Sequence, residues 1–159
     1  MFNKYSDYIS HFSNDLNAND YWYDIAILHA SELLDSFTEQ DWILLENSFL
    51  DRSNGWLARF CESVDNTTNK KVLPILLVLV TCDEKEISFK ALDALNSLPL
   101  PISELLAISD KIKKAIQKIK MKAGVVDRVV LNALEEKLNI TNKNGPALKK
   151  HLPSKGGAK

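Results

Sequence analysis

Val72-Leu73-Pro74-Ile75-Leu76-Leu77-Val78-Leu79, a turn at Cys82-Asp83, then Ile87 and Ala91-Leu92-Asp93-Ala94-Leu95 is the stretch on which the fold turns. The apolar run from Val72 to Val80 is far shorter than the roughly 20 residues that span a bilayer. Pro74 falls in the first turn of a helix, where a missing N–H costs little. Further on, apolar residues recur three and four apart, the spacing of one helical face. Asp83 stands where its carboxylate can cap that second helix. The stretch therefore reads as a helical hairpin.

The same pattern lies 31 residues upstream. Without a gap, Trp42 falls on Leu73, Leu45 on Leu76 and Phe49 on Val80. Trp56 then falls on Ile87, Phe60 on Ala91, Cys61 on Leu92 and Val64 on Leu95. Charged positions agree too, with Arg59 on Lys90 and Glu62 on Asp93. A fainter copy sets Ile25, Ala30 and Leu33 on Trp56, Cys61 and Val64. Two-helix units at such a period build α-solenoids, because one hairpin cannot cover its own apolar face and stacked neighbours bury it jointly.

The quoted hairpin resembles a HEAT repeat, clearly over about 25 residues and over about 75 with its weaker copies. It departs from that family at Phe89, where a small residue is commoner, and at Gly55 on a helix start. The resemblance implies an all-α, right-handed stack of antiparallel helical hairpins, about eight helices, with each second helix lining a concave face. Residues 1–140 would form this HEAT-like domain, with the repeat clearest over 42–97, and residues 141–159 a flexible basic tail.

Other segments read as helices as well. Phe2, Tyr5, Tyr8, Ile9, Phe12 and Leu16 share one face. Asp20 is placed to cap a helix that carries Trp22, Ile25, Ala26, Leu33 and Leu34 inward. Thr38 with Asp41 is a variant of the capping box, opening a helix with Trp42, Leu45, Phe49 and Leu50. A long helix from about Ser103 would bury Leu105, Leu106, Ile108, Ile112, Ile116 and Ile119. Its other side is a lysine face at 111, 113, 114, 118, 120 and 122. Gly124 ends it, and a last helix from Val126 to Leu138 would turn Val129, Val130, Ala133 and Leu134 inward.

Five glycines and five prolines in 159 residues are too few for a turn-rich β protein. The net charge of −1 conceals a split. Residues 1–100 hold seven basic and sixteen acidic side chains, residues 101–159 thirteen and five, so the halves carry −9 and +8. The lysine face has no interleaved arginine or aromatic residue, which suits a solvated helix face better than a phosphate-binding one. Cys61 and Cys82 sit in apolar patterns with no paired spacing, as free thiols do in a reducing compartment. The N-terminus has no apolar signal-like stretch. A cytoplasmic protein is expected.

No catalytic, cofactor-binding or metal-binding motif is legible. His29 and Glu32 lie three apart on a helix, but the second such pair of a carboxylate-bridged metal site is missing. Under the repeat geometry, the second helices present a polar stripe: Asp24, Leu28, Ser31 and Asp35, then Arg59, Glu62 and Asn66, then Glu86, Lys90, Asp93 and Ser97. Glu86–Lys90 and Arg59–Glu62 also fit plain intrahelical pairs on a solvated face. Tyr21-Trp22-Tyr23 is an aromatic cluster that serves either the core or a partner.

In size, repeat pattern and acidic N-terminal half the chain resembles the HEAT-like immunity proteins of contact-dependent growth inhibition systems. That resemblance implies a non-enzymatic inhibitor binding a cognate toxin, one to one. The toxin would be a nuclease whose basic cleft an acidic surface can occlude, with association speeded by electrostatic steering. The residues expected to meet it are Asp20, Tyr21, Tyr23, Asp24, Asp35, Trp56, Arg59, Glu62, Glu86, Lys90 and Asp93. No membrane or metal is expected as a partner, and the charge argues against nucleic acid. A HEAT-like nucleic-acid binder similar to DNA glycosylases, or a generic adaptor, is the alternative.

Overall fold

The computed structural model describes residues 1–14, 20–67, 69–121 and 123–144. Among them are eight α-helices and no strand. These are α1 (Phe2–His11), α2 (Ile27–Asp35), α3 (Glu39–Ser48), α4 (Asn54–Ser63), α5 (Val72–Leu79), α6 (Lys85–Ser97), α7 (Ile102–Lys120) and α8 (Val125–Asn144). A π turn, Trp22–Ala26, runs directly into α2, and short 3-10 turns follow α3 (Phe49–Asp51) and α4 (Val64–Asn66).

Helices α2, α4, α6 and α8 form a row in which each packs on the next, while α1 packs on α2, α5 on α6, and α7 on α8. A buried apolar cluster runs from Phe2 in α1 to Leu138 in α8. Of the seven apolar pairs related by the 31-residue shift, six are buried at both positions; Leu73 alone is only partly buried. The matched spacing reports burial because residues three and four apart share one face of a helix.

Local signals behave unevenly. Thr38 and Asp41 form the full capping box: the Asp41 amide donates to the Thr38 hydroxyl, and the Asp41 carboxylate accepts from the Thr38 N–H at 2.9 Å. The same carboxylate accepts from the Met1 ammonium and the Phe2 N–H, both at 2.8 Å, and so ties the start of α1 to the start of α3. The Met1 ammonium, with these further donors, holds the Asp41 carboxyl far below the usual carboxylate range. A carboxyl with a depressed folded pKa stabilises the fold above its unfolded value, near pH 4, and loses that contribution as pH falls. Asp41→Asn is therefore expected to lower stability by about 2 kcal/mol at neutral pH and to flatten the acid limb of a stability–pH profile. A variant as acid-sensitive as the parent would refute this role.

Pro74 sits in the first turn of α5 as expected. Asp83 does not cap α6: the helix opens at Lys85 behind Glu84, and the exposed Asp83 carboxylate accepts from Lys118 at 3.0 Å. Asp20 lies inside a helical turn rather than ahead of one. Ile25 is exposed, because the π turn adds a residue per turn and rotates it outward. Leu50 is exposed because the 3-10 turn after α3 winds more tightly than the expected helix.

In α8 the buried residues are Leu131, Leu134 and Leu138, while Val129 and Ala133 are exposed. Helix α8 also reaches Asn144, four residues into the segment expected to be a tail. Leu16, Lys122 and residues 145–159 lie outside the described residues.

Candidate functional site

Helix α4 packs on α6. The Glu62 carboxylate consequently accepts from its own-helix neighbour Arg59 Nη1 at 2.9 Å and from Lys90 Nζ of α6 at 2.6 Å. Two further donors arrive from the π turn. Trp22 Nε1 donates to Glu62 Oε2 at 2.9 Å, and the Tyr23 hydroxyl donates to Oε1 at 3.3 Å. The turn makes this possible by sending Trp22 into the core and its neighbour Tyr23 to the surface.

Arg59, expected on the polar stripe, is wholly buried. Its Nε donates to the Phe12 carbonyl at 3.0 Å, and its guanidinium lies 4.6 Å from the Trp22 ring centre. Such a cation is tolerated inside because both its charge and its N–H groups are met. Trp56, expected as a possible anchor for a partner, is also interior: it stacks on Phe60 at 5.9 Å and donates to the Ser6 carbonyl at 3.3 Å. Ser31 is buried too, its hydroxyl donating to the Ser63 carbonyl at 2.6 Å. Arg59 thus supports the site from beneath, whereas Trp56 belongs to the core against α1.

Above this network lies a groove of about 300 Å³. It is lined by Tyr23 and Ile27 from the π turn and α2, by Glu62 and Asp65 from α4 and the turn after it, and by Phe89, Lys90 and Asp93 from α6. Desolvation, with repulsion from Asp93 added, pushes the Asp65 carboxyl up to about 6, against the opposing Ser97 hydroxyl. Asp93 is likewise raised by desolvation, with Lys90 pulling the other way. Desolvation would lower the Lys90 ammonium, but the hydrogen bond to Glu62 and the attraction of Glu62, Tyr23 and Glu86 together outweigh this and raise it. Cys61 also borders the groove, its thiol pushed far above the ordinary range by burial. With Glu62 already paired, Asp65 and Asp93 carry the charge that a cation outside the protein would meet.

Of the residues expected from sequence, Tyr23, Arg59, Glu62, Lys90 and Asp93 are brought together here. Tyr21 is exposed and stacks on Phe12 at 6.1 Å. Glu86 is exposed one turn before Lys90, and Asp20 and Asp24 are exposed near the π turn. Asp35 stands apart, accepting from the Thr67 hydroxyl. Trp22, read as a member of an aromatic cluster serving core or partner, is buried; Asp65, Ile27 and Phe89 were not anticipated. Asp65 borders the groove from the 3-10 turn that follows α4. Beside the groove, Tyr21, Tyr23, Ile25 and Leu28 leave large apolar surfaces exposed around the π turn.

His29 lies 3.4 Å from Glu32 and packs edge-on against Tyr8. Among the described residues no three of His, Cys, Asp and Glu are grouped to hold a metal ion, and no helix is long and apolar enough to cross a membrane. Neither a family model nor a curated protein nor a solved structure matches the chain.

Proposed function

We propose that this chain is a binding protein that neutralises a cognate toxin with a basic surface, as an immunity protein of a contact-dependent growth inhibition system does. The observation that carries the reading is the juxtaposition of the Asp65–Asp93 groove with the exposed aromatic and aliphatic cluster at the π turn. Hot spots combine a desolvated aromatic anchor with surrounding polar complementarity, and Tyr23 supplies the anchor at the edge of an acidic groove. The excess of acids in residues 1–100 would steer a basic partner toward that half. The row α2–α4–α6–α8 is read as the second helices of a right-handed HEAT-like stack, and the groove as part of its concave face. Phosphate would be repelled from the same groove, which favours a protein over a nucleic acid.

The decisive measurement is whether a toxin domain is encoded beside this chain and, where one is, its binding and the protection of its target; absence of such a gene would sink the proposal. Tyr23→Ala is expected to weaken binding about thirtyfold. Asp65→Lys with Asp93→Lys should slow association and remove most of its salt dependence. Because Asp65 titrates near 6, binding should also weaken between about pH 7.5 and about pH 5.5, and Asp65→Asn should remove most of that slope. Unchanged affinity in these variants would put the interface elsewhere. No binding and no protection would end the proposal.

A further inference from the structure

The turn from α7 into α8 leaves a second apolar surface, on the far side of the chain's charge split. Leu131, Leu134 and Leu138 face the core from α8, and the opposite side of its first two turns presents Val125, Val126 and Val129. With Met121 at the end of α7, these four side chains are 65% to 83% exposed. Single exposed aliphatic residues are unremarkable, but four adjacent ones on one corner mark an interaction surface.

The surrounding charge identifies the occupant. Lys111, Lys114 and Lys118 are exposed at three- and four-residue intervals along the α7 stripe that ends at Met121, and Arg128 is exposed beside Val129. Three acids near the corner are already engaged: Asp83 with Lys118, Asp127 with the Gly124 N–H, and Glu135 with Lys120. Residues 101–144 carry nine basic side chains against five acidic ones. Two such corners brought together would repel, which disfavours a second copy of this chain. The patch has no aromatic platform on which bases stack, and none of the Trp or Tyr anchors that dominate protein interfaces. Aliphatic side chains flanked by lysines instead match the boundary between acyl chains and anionic headgroups.

We propose that the α7–α8 corner docks on an anionic bilayer surface, with Met121, Val125, Val126 and Val129 entering the acyl boundary while Lys111, Lys114 and Arg128 meet the headgroup phosphates. The expectation of no membrane partner rested on the lack of a spanning segment, which a peripheral contact does not need. The opposite charges of the two halves give this docking an orientation. An anionic surface attracts the corner and repels residues 1–100, so the groove beside Tyr23 faces solution. The inference does not depend on toxin binding.

The test is sedimentation of the full chain with vesicles of phosphatidylcholine alone and of an equimolar mixture with phosphatidylglycerol. Binding is expected to the mixed vesicles and not to the neutral ones. Val125→Asp with Val129→Asp should reduce partitioning about tenfold or more while leaving the circular dichroism spectrum unchanged, since both side chains are exposed. Lys111→Glu with Lys114→Glu should reduce it by a similar factor. Absence of binding to the mixed vesicles overturns the proposal. So does binding that survives the valine substitutions, which would be charge adsorption alone. Concentration-dependent self-association abolished by the valine substitutions would assign the face to a second copy instead.

Discussion

Glu62→Gln is expected to lower the free energy of unfolding by about 3 kcal/mol, although the side chain keeps its shape and the residue sits beside a surface groove. The carboxylate receives Trp22 and Arg59 on one oxygen and Lys90 and Tyr23 on the other. A glutamine offers one oxygen, so two of the four donors would meet an NH2 group. Lys90 is partly exposed and can turn to water, but Arg59 is wholly buried. Its guanidinium cannot shed a proton to escape the loss of a counter-charge. Removing one partner of a buried pair typically costs about 3–5 kcal/mol, and the freedom of Lys90 places this case at the lower end. Urea unfolding with an unchanged slope is the measurement. Arg59→Met in the same chain should recover much of the loss, because the stranded charge is then gone. A loss below about 1 kcal/mol for Glu62→Gln, or no recovery in the double variant, would show that the network is not what holds the π turn to α4 and α6.

The second large effect is expected at Gly55. In an open helix, glycine to alanine stabilises by about 1 kcal/mol. Here the added Cβ would lie 2.0 Å from the Ser13 carbonyl oxygen and 3.0 Å from its carbon. That carbonyl belongs to the turn leaving α1, which is itself held by hydrogen bonds from Ser13 to the Ser10 carbonyl. Neither backbone can yield without moving α1 from α4. Gly55→Ala should therefore destabilise by about 2–3 kcal/mol, reversing the usual sign. A rise in the thermal midpoint would mean that the two helices do not approach as closely as described. The close approach also accounts for a glycine near the start of α4.

Both sites show how far one-dimensional reading reaches. The capping box at Thr38 and Asp41, the position of Pro74 and the buried faces of α4 and α6 were legible because they depend on neighbours within a turn or two. The chance that Arg59 and Glu62 are an intrahelical pair was legible for the same reason, and they are one, at 2.9 Å. Ile25, Leu50 and the Val129–Ala133 face were misassigned because a π turn, a 3-10 turn and the rotation of α8 each shift the register that regular helical counting assumes.

What the sequence by itself determined is the helical class, the apolar spacing of its helices and the opposed charges of its two halves, since periodicity and composition are properties of the chain alone. Only the tertiary structure decided that Arg59 lies inside, that Glu62 gathers donors from three helical segments, and that Asp65 and Asp93 are left to border the groove. The reason is that burial and ion pairing depend on which segment covers a face, and the π turn that covers Arg59 lies more than thirty residues away in the chain.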